Sequence, residues 1–114
     1  MARVEIMARL KDEILKKFKA ESKTIFRQMC SLEENPKKGK ELGNVGEIVI
    51  KELKYKSFRF YFITDGYKIR VMDKLHLTDL LIRFVRMSDK KDQQKTINEI
   101  KQILLKLGMD GFKG

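Results

Sequence analysis

Apolar residues recur at helical spacing in the first third of the chain. This spacing predicts one helix over residues 10–19 and a second helix whose pattern begins at Ile25. Because proline disfavours helix at the residue before it, Asn35-Pro36 predicts that the second helix ends near Glu34. With Ser22 as the N-cap between them, the two segments predict a helical hairpin or one long helix with a bend.

Alternating apolar and polar residues follow, a pattern that is typical of strands. The predicted strands are about residues 47–54, 57–64 and 67–72. Asp65-Gly66 is a strong hairpin-turn signal, so we expect these strands to form an antiparallel meander. Leu80 to Val85 is apolar on both sides, as in a central strand with both faces covered. Ser88 or Asp89 then caps a closing helix that ends at Gly108.

The middle strand of the meander has two different faces. Since side chains alternate between the faces of a strand, Phe58, Phe60 and Phe62 share one face. Arg59 and Tyr61 share the other face. We expect the phenylalanine face to be buried and Arg59 to be exposed, so that truncating Arg59 changes stability little.

The remaining segments complete an α+β domain. Residues 37–46 contain three glycines and predict a loop, while the alternation over residues 3–8 allows an extra short edge strand. The tail, residues 109–114, is expected to fray. The prediction is a single domain, residues 1–114, with an N-terminal helical hairpin, a four-stranded, mainly antiparallel sheet and a C-terminal helix. We expect the helices to lie on one side of that sheet.

Composition and charge narrow the classes of function. The 114-residue chain has 26 Lys and Arg against 16 Asp and Glu, a formal net charge of +10 and a pI of about 9.8. This balance favours nucleic acid as a partner. The sequence contains no run of about 20 apolar residues that predicts a membrane span, and its N-terminus lacks the apolar core of a signal peptide. Because Cys30 is the single cysteine, we expect a reducing, cytoplasmic location.

Most catalytic chemistries are not expected from this sequence. One histidine and one cysteine cannot build a metal site or a Ser-His-Asp triad, so we predict no metal and no cofactor. We interpret His76 as a loop histidine. Cys30 falls on the apolar stripe of the second helix, which predicts a buried, inert thiol.

Basic residues and tyrosines on the predicted sheet remain as candidates for chemistry. They are Lys51, Lys54, Arg59, Tyr61, Tyr67, Arg70, Arg83 and Arg86. Half-covered antiparallel sheets always carry solvated charges, which is one explanation of this set. We favour RNA binding, because arginine, whose planar fork grips phosphate, dominates the strand centres and alternates with tyrosines that can stack on bases.

Three segments resemble those of the RelE/ParE superfamily of toxins. Leu32 to Leu42, with its Asn-Pro and glycine, is similar to the end of their helical hairpin. Tyr55 to Phe62 resembles their tyrosine-arginine-phenylalanine-tyrosine strand. Ile82 to Lys91 and the helix after it resemble the phenylalanine, two basic residues and helix that close the HigB-like and phage-derived members. The resemblance covers about residues 25–106 and implies a RelE-like fold.

The resemblance implies the toxin of a type II toxin–antitoxin system, a metal-independent endoribonuclease that cleaves mRNA at the ribosome and inhibits translation. On matching positions, it implies that Arg59 holds the scissile phosphate and that Arg83 or Arg86 is the basic residue of the last strand. A phenylalanine stands where such toxins have a C-terminal tyrosine, which leaves Tyr61 or Tyr67 as a substitute general base.

Two sets of site residues follow from these considerations. The expected catalytic set is Arg59, Arg83, Lys51, Lys54 and Tyr61. The expected RNA-binding set is Arg70, Arg86, Lys38 and Lys90. The implied partners are ribosome-bound mRNA and an acidic antitoxin, with no membrane. ParE-type members share the fold and act on gyrase, so an inhibitor of a protein target stays open, as do a basic RNA-binding module and a basic protein without nucleic-acid function.

Overall fold

The computed structural model describes residues 1–112, apart from the side chain of Lys74, as an α+β fold built on a five-stranded sheet. The strands are β1 (Arg3–Ile6), β2 (Lys40–Val45), β3 (Ile48–Tyr55), β4 (Phe58–Asp65) and β5 (Leu81–Asp89). The helices are α1 (Ala8–Phe18), α2 (Ser22–Cys30), α3 (Gly66–Val71) and α4 (Gln93–Leu107). Short 3-10 turns occupy Lys19–Glu21, Ser31–Glu33, Lys74–His76 and Gly108–Phe112.

The sheet has the strand order β1-β5-β4-β3-β2. The pairs β2–β3, β3–β4 and β4–β5 are antiparallel, whereas β1 runs parallel to β5. The predicted N-terminal edge strand is therefore present. Together with a helical hairpin near the N-terminus and a closing helix, it agrees with the α+β class expected from the sequence.

The strand predicted at residues 67–72 is wrong, because this segment forms α3. The Asp65 carboxylate accepts a hydrogen bond from the Lys68 backbone N–H, so Asp65 caps a helix instead of starting a hairpin turn. Gly66 passes close to the turn before β3, where a Cβ would lie 2.8 Å from the Glu47 carbonyl oxygen. The predicted loop 37–46 is also wrong in part, because residues Lys40–Val45 form β2. This strand takes the place in the sheet that was predicted for residues 67–72.

Helices cover both faces of the sheet, so the expectation that they lie on one side is wrong. Phe18 at the end of α1 packs edge-on against Phe58 of β4, with ring centroids 5.0 Å apart. The other face meets α4, whose Gln93 and Glu99 contact side chains of β3 and β5. The apolar side of α4 that enters the core consists of Ile97, Ile100 and Leu104.

The closing helix α4 ends at Leu107 with Gly108 as its C-cap, as predicted, and Gly108 has a positive φ of 66°. The next residues fold back into the core instead of fraying, and Phe112 is 4% exposed. The prediction of a frayed tail is therefore wrong through Phe112, and its last part, Lys113 and Gly114, lies outside the described residues.

The N-terminal helical hairpin departs from prediction in two details. Ser22 begins α2, but its hydroxyl donates to the Ile14 carbonyl oxygen and does not cap the helix. Cys30 is exposed, because Ile25 and Met29 face the core and Cys30 follows Met29 directly. Within the described residues, no helix is both long and apolar enough to cross a membrane.

Candidate functional site

Polar side chains from three adjacent strands meet on the face of the sheet beneath α4. Lys54 on β3 pairs directly with Arg59 on β4, and Arg59 pairs in turn with Ser88 on β5. Tyr61 lies between its partners on β3 and β5 in the same way. We call this set the sheet-face cluster: Glu52, Lys54, Arg59, Tyr61, Arg86 and Ser88.

A β-bulge in β5 sets which way its arginines point. Arg83 pairs with Ile63, and Arg86 pairs with Tyr61. Residues three apart in a regular strand face opposite ways, but the extra residue at Val85 brings both arginines to the face of Tyr61. This placement could not be read from the alternation of the sequence.

Glu52 and Arg59 form a buried ion pair at the centre of the cluster. The Arg59 Nε lies 3.8 Å from Glu52 Oε2, and the two residues are 8% and 2% exposed. Gln93 of α4 donates a hydrogen bond to the same carboxylate oxygen at 3.3 Å. Among the described residues, Glu52 Oε1 and Arg59 Nε have no hydrogen-bond partner. The expectation that Arg59 is exposed is wrong, because α4 covers the face on which it lies.

Tyr61 is fully buried next to this ion pair. Its hydroxyl lies 2.7 Å from Ser88 Oγ, and Ser88 donates its own proton to the Asp89 carbonyl oxygen. The Tyr61 hydroxyl is therefore the donor to Ser88. Burial raises the pKa of Tyr61. A buried phenol with a raised pKa stays protonated, so Tyr61 is poorly suited to act as a general base.

Arg86 is bound to α4 and to the C-terminal turn. Its Nε donates to Glu99 Oε1 at 2.8 Å, and its guanidinium lies 5.2 Å from the centre of the Phe112 ring. Lys54, by contrast, is exposed at the open edge of the cluster. The cluster thus has one accessible cation beside two arginines that already have carboxylate partners.

Arg83 lies on the same face but holds a different part of the fold. Its Nε is 3.2 Å from Glu5 Oε1 of β1, and its guanidinium donates to the Met109 carbonyl oxygen at 2.8 Å. Asp110 approaches the same side chain at 3.8 Å. Arg83 therefore ties the first strand to the C-terminal turn and is separate from the sheet-face cluster.

Lys51 lies on the opposite face of the sheet, away from Arg59. It pairs with Phe62, and its ammonium lies 5.8 Å from the centre of that ring. The same ammonium donates to the Lys37 carbonyl oxygen at 3.0 Å, which anchors the loop before β2. Burial lowers the pKa of Lys51. Of the expected catalytic residues, the structure thus brings Lys54 together with Arg59 and Tyr61, whereas Lys51 and Arg83 lie elsewhere.

The four residues expected to bind RNA are spread over the molecule. Arg86 belongs to the cluster, and the exposed Lys90 follows the end of β5 beside it. Arg70 lies on α3, 3.8 Å from Glu41 of β2, and the exposed Lys38 precedes β2. Only Arg86 and Lys90 therefore lie where they could act together with Lys54 and Arg59.

The sequence interpretation missed Glu52, the acidic centre of the cluster. Its signal was present, since Glu52 alternates with Lys54 and therefore shares its face. Gln93 was also missed, because the contact between α4 and β3 depends on tertiary packing.

No group of three His, Cys, Asp or Glu side chains in the described part of the chain could hold a metal ion. Comparisons with known protein families, with curated proteins and with solved structures found no match.

Proposed function

We propose that this protein binds RNA at the sheet-face cluster and is an endoribonuclease toxin of the RelE type that cleaves mRNA at the ribosome. One observation carries the proposal: three adjacent strands put Lys54, Arg59 and Arg86 on one face, around a carboxylate. Cations from several strands around one proton acceptor are the groups that metal-free cleavage of a phosphodiester requires.

The chemistry assigns one role to each charged side chain. The ribose 2′-hydroxyl attacks the adjacent phosphorus, and Glu52 Oε1, an acceptor without a partner among the described residues, takes the hydroxyl proton. Arg59 and Arg86 stabilise the negative charge of the phosphorane. Lys54 gives a proton to the 5′ oxygen as its bond to phosphorus breaks. The products are a 2′,3′-cyclic phosphate and a free 5′-hydroxyl.

RNA reaches the cluster from its open edge. Lys54 and Lys90 are exposed there, and both attract a phosphate chain. Full engagement requires that Gln93 and Glu99 release Glu52 and Arg86, since α4 makes both contacts. Binding at the ribosome supplies the free energy for this local opening.

The test compares variants by toxicity on expression and by primer-extension mapping of cleaved mRNA. Glu52→Gln and Lys54→Gln should each lower the cleavage rate by a factor on the order of 10². Lys106→Gln, which removes an exposed charge from the far end of α4, is the matched control and should cleave normally. The proposed site would be contradicted if the Glu52→Gln and Lys54→Gln proteins fold normally and cleave mRNA at the wild-type rate.

A non-catalytic function is the second candidate, and the existing ion pairs favour it. Arg59 and Arg86 each lie against a carboxylate, so the cluster could be a static support for a surface that inhibits a protein target such as gyrase or binds RNA without cutting it. Toxicity without mRNA cleavage would favour this candidate. In either case an acidic antitoxin is the expected partner in the cytoplasm, and co-purification from the native host tests it.

A further inference from the structure

The tip of the β3–β4 hairpin carries cations on one face and aromatic rings on the other. Lys54 and Arg59 form one cross-strand pair, and the next pair towards the turn is Tyr55 and Phe58. Since neighbouring pairs point to opposite faces, the aromatic pair lies on the side of α1. Both rings are only partly buried.

A lysine ammonium lies over each of these two rings. The Lys17 ammonium lies 5.0 Å from the centre of the Phe58 ring, and the Lys56 ammonium lies 5.5 Å from the centre of the Tyr55 ring. The Lys56 side chain is 63% exposed. Phe18 packs edge-to-face with both rings, which restrains their orientation. Two oriented rings beside exposed lysines form a surface that a planar base with its phosphate can occupy.

We infer that Tyr55 and Phe58 form a subsite that stacks unpaired bases of a single-stranded RNA, while Lys17 and Lys56 contact its phosphates. This inference rests on the proposed RNA-binding function and adds a second contact surface, across the hairpin from the sheet-face cluster. A base in a duplex is already stacked on its neighbours and has no face to offer. The subsite therefore selects single strands over duplexes.

Glu21 restrains this subsite in the free protein. Its carboxylate accepts hydrogen bonds from the Tyr55 hydroxyl and from the Lys56 ammonium. The Lys56 charge is thus partly neutralised before RNA arrives. Removing the Glu21 charge should leave Lys56 free for phosphate, so that Glu21→Gln binds single strands several-fold more tightly.

The experiment measures affinity by fluorescence anisotropy, with a labelled oligouridine of about 12 nucleotides and a duplex of the same length. The variants are Tyr55→Leu and Phe58→Leu, which keep apolar volume and remove the π face. Tyr67→Leu is the matched control. Tyr67 was expected among the tyrosines of the sheet, but it lies on α3, beyond the other end of β4 and outside the sheet-face cluster, and its side chain is exposed.

We expect both hairpin variants to lose about tenfold in affinity for the single strand, with little change for the duplex and none for Tyr67→Leu. Unchanged affinity of both variants, or equal losses for single strand and duplex, would overturn the stacking subsite and leave the proposed function standing. Wild-type protein that binds neither RNA and cleaves no mRNA would overturn the proposed function and the subsite with it.

Discussion

The guanidinium of Arg59 is buried together with the carboxylate of Glu52. Replacing Arg59 by alanine leaves the Glu52 charge buried without its cation. Loss of one partner of a buried pair typically costs 3–5 kcal/mol, so we expect Arg59→Ala to lower the free energy of unfolding by about 3 kcal/mol. Urea unfolding followed by circular dichroism measures the change.

A paired substitution separates lost charge from lost packing. The double variant Arg59→Met with Glu52→Gln removes both charges and keeps most of the volume, and we expect it to recover at least half of the loss. A single variant Arg59→Ala within about 0.5 kcal/mol of wild type would show that the residue is effectively solvated. The same comparison decides how far a cleavage defect of Arg59→Ala reflects unfolding.

Lys51 gives the molecule a pH dependence of known sign. Burial holds the folded-state pKa of Lys51 below the ordinary lysine value of 10.5. The unfolded state therefore binds more protons between the folded pKa and 10.5, and stability contributed by this group rises with pH across that window. Below the window Lys51 is charged in both states, and its burial destabilises the fold.

Lys51→Met tests this effect by difference. We expect the variant to gain stability relative to wild type most strongly at about pH 7, and the gain to shrink as the pH approaches about 10. Urea unfolding of both proteins at several pH values gives the difference, which cancels the contributions of the tyrosines. A difference that is constant over this range would contradict a lowered Lys51 pKa.

At the scale of elements, α3 depends on its N-cap residue, Asp65. Asp65 accepts a hydrogen bond from the Lys68 N–H at 3.0 Å, and α3 has only six residues to share this support. Asp65→Ala should cost about 1 kcal/mol of stability, whereas Asp65→Asn should cost a few tenths, because asparagine also caps helices well. Equal losses for the two variants in thermal unfolding would argue against a capping role.

Asp65 also explains why the sequence predicted a strand, and not a helix, over residues 67–72. Asp-Gly between alternating segments starts a hairpin turn in one backbone conformation and caps a helix in another, and both begin with the same side-chain acceptor. The close approach of Gly66 to Glu47 decides between them, and that contact exists only in the folded sheet. The strands β3 and β4 were predicted to within one residue of their bounds, because each is an eight-residue run rich in β-branched or aromatic side chains.

The candidate site was predictable in part for the same physical reason. Alternation correctly put Arg59 and Tyr61 on one face of β4, but it did not predict the register that sets Lys54 of β3 opposite Arg59. It could not supply the bulge at Val85 that turns Arg86 to this face. It also could not show that α4 covers the cluster, since helix docking depends on side chains distant in sequence.

Across the whole molecule, which has an excess of ten positive charges, the cations fall into two groups, those paired within the fold and those exposed to solvent. Several cations are committed to carboxylates or carbonyl oxygens within the fold, as Arg83 and Lys51 are. Others are exposed around the hairpin end of the sheet: Lys17, Lys54, Lys56, Lys90 and Lys91. This end is where a polyanion would displace the most counterions.

Salt dependence therefore offers a count of the phosphate contacts. For single-stranded nucleic acid, the logarithm of the binding constant falls with the logarithm of salt concentration by about 0.7 per phosphate contact. With the exposed lysines of the hairpin end in contact, we expect a slope of roughly −2 to −4. Lys54→Gln should reduce the magnitude of the slope by about 0.7. Lys106→Gln should leave the slope unchanged, because Lys106 lies about 20 Å along α4 from Gln93, the residue that contacts the cluster.

The slope distinguishes a defined basic surface from a diffuse net charge. If total charge alone attracts RNA, the two lysine variants remove the same charge and should change the slope equally. If the hairpin end binds RNA, only Lys54→Gln changes it, because counterions are released only from phosphates that the protein touches. Equal retention of the wild-type protein on a polyanion at about 50 mM and about 500 mM salt would contradict both, since either form of electrostatic binding weakens steeply over that range.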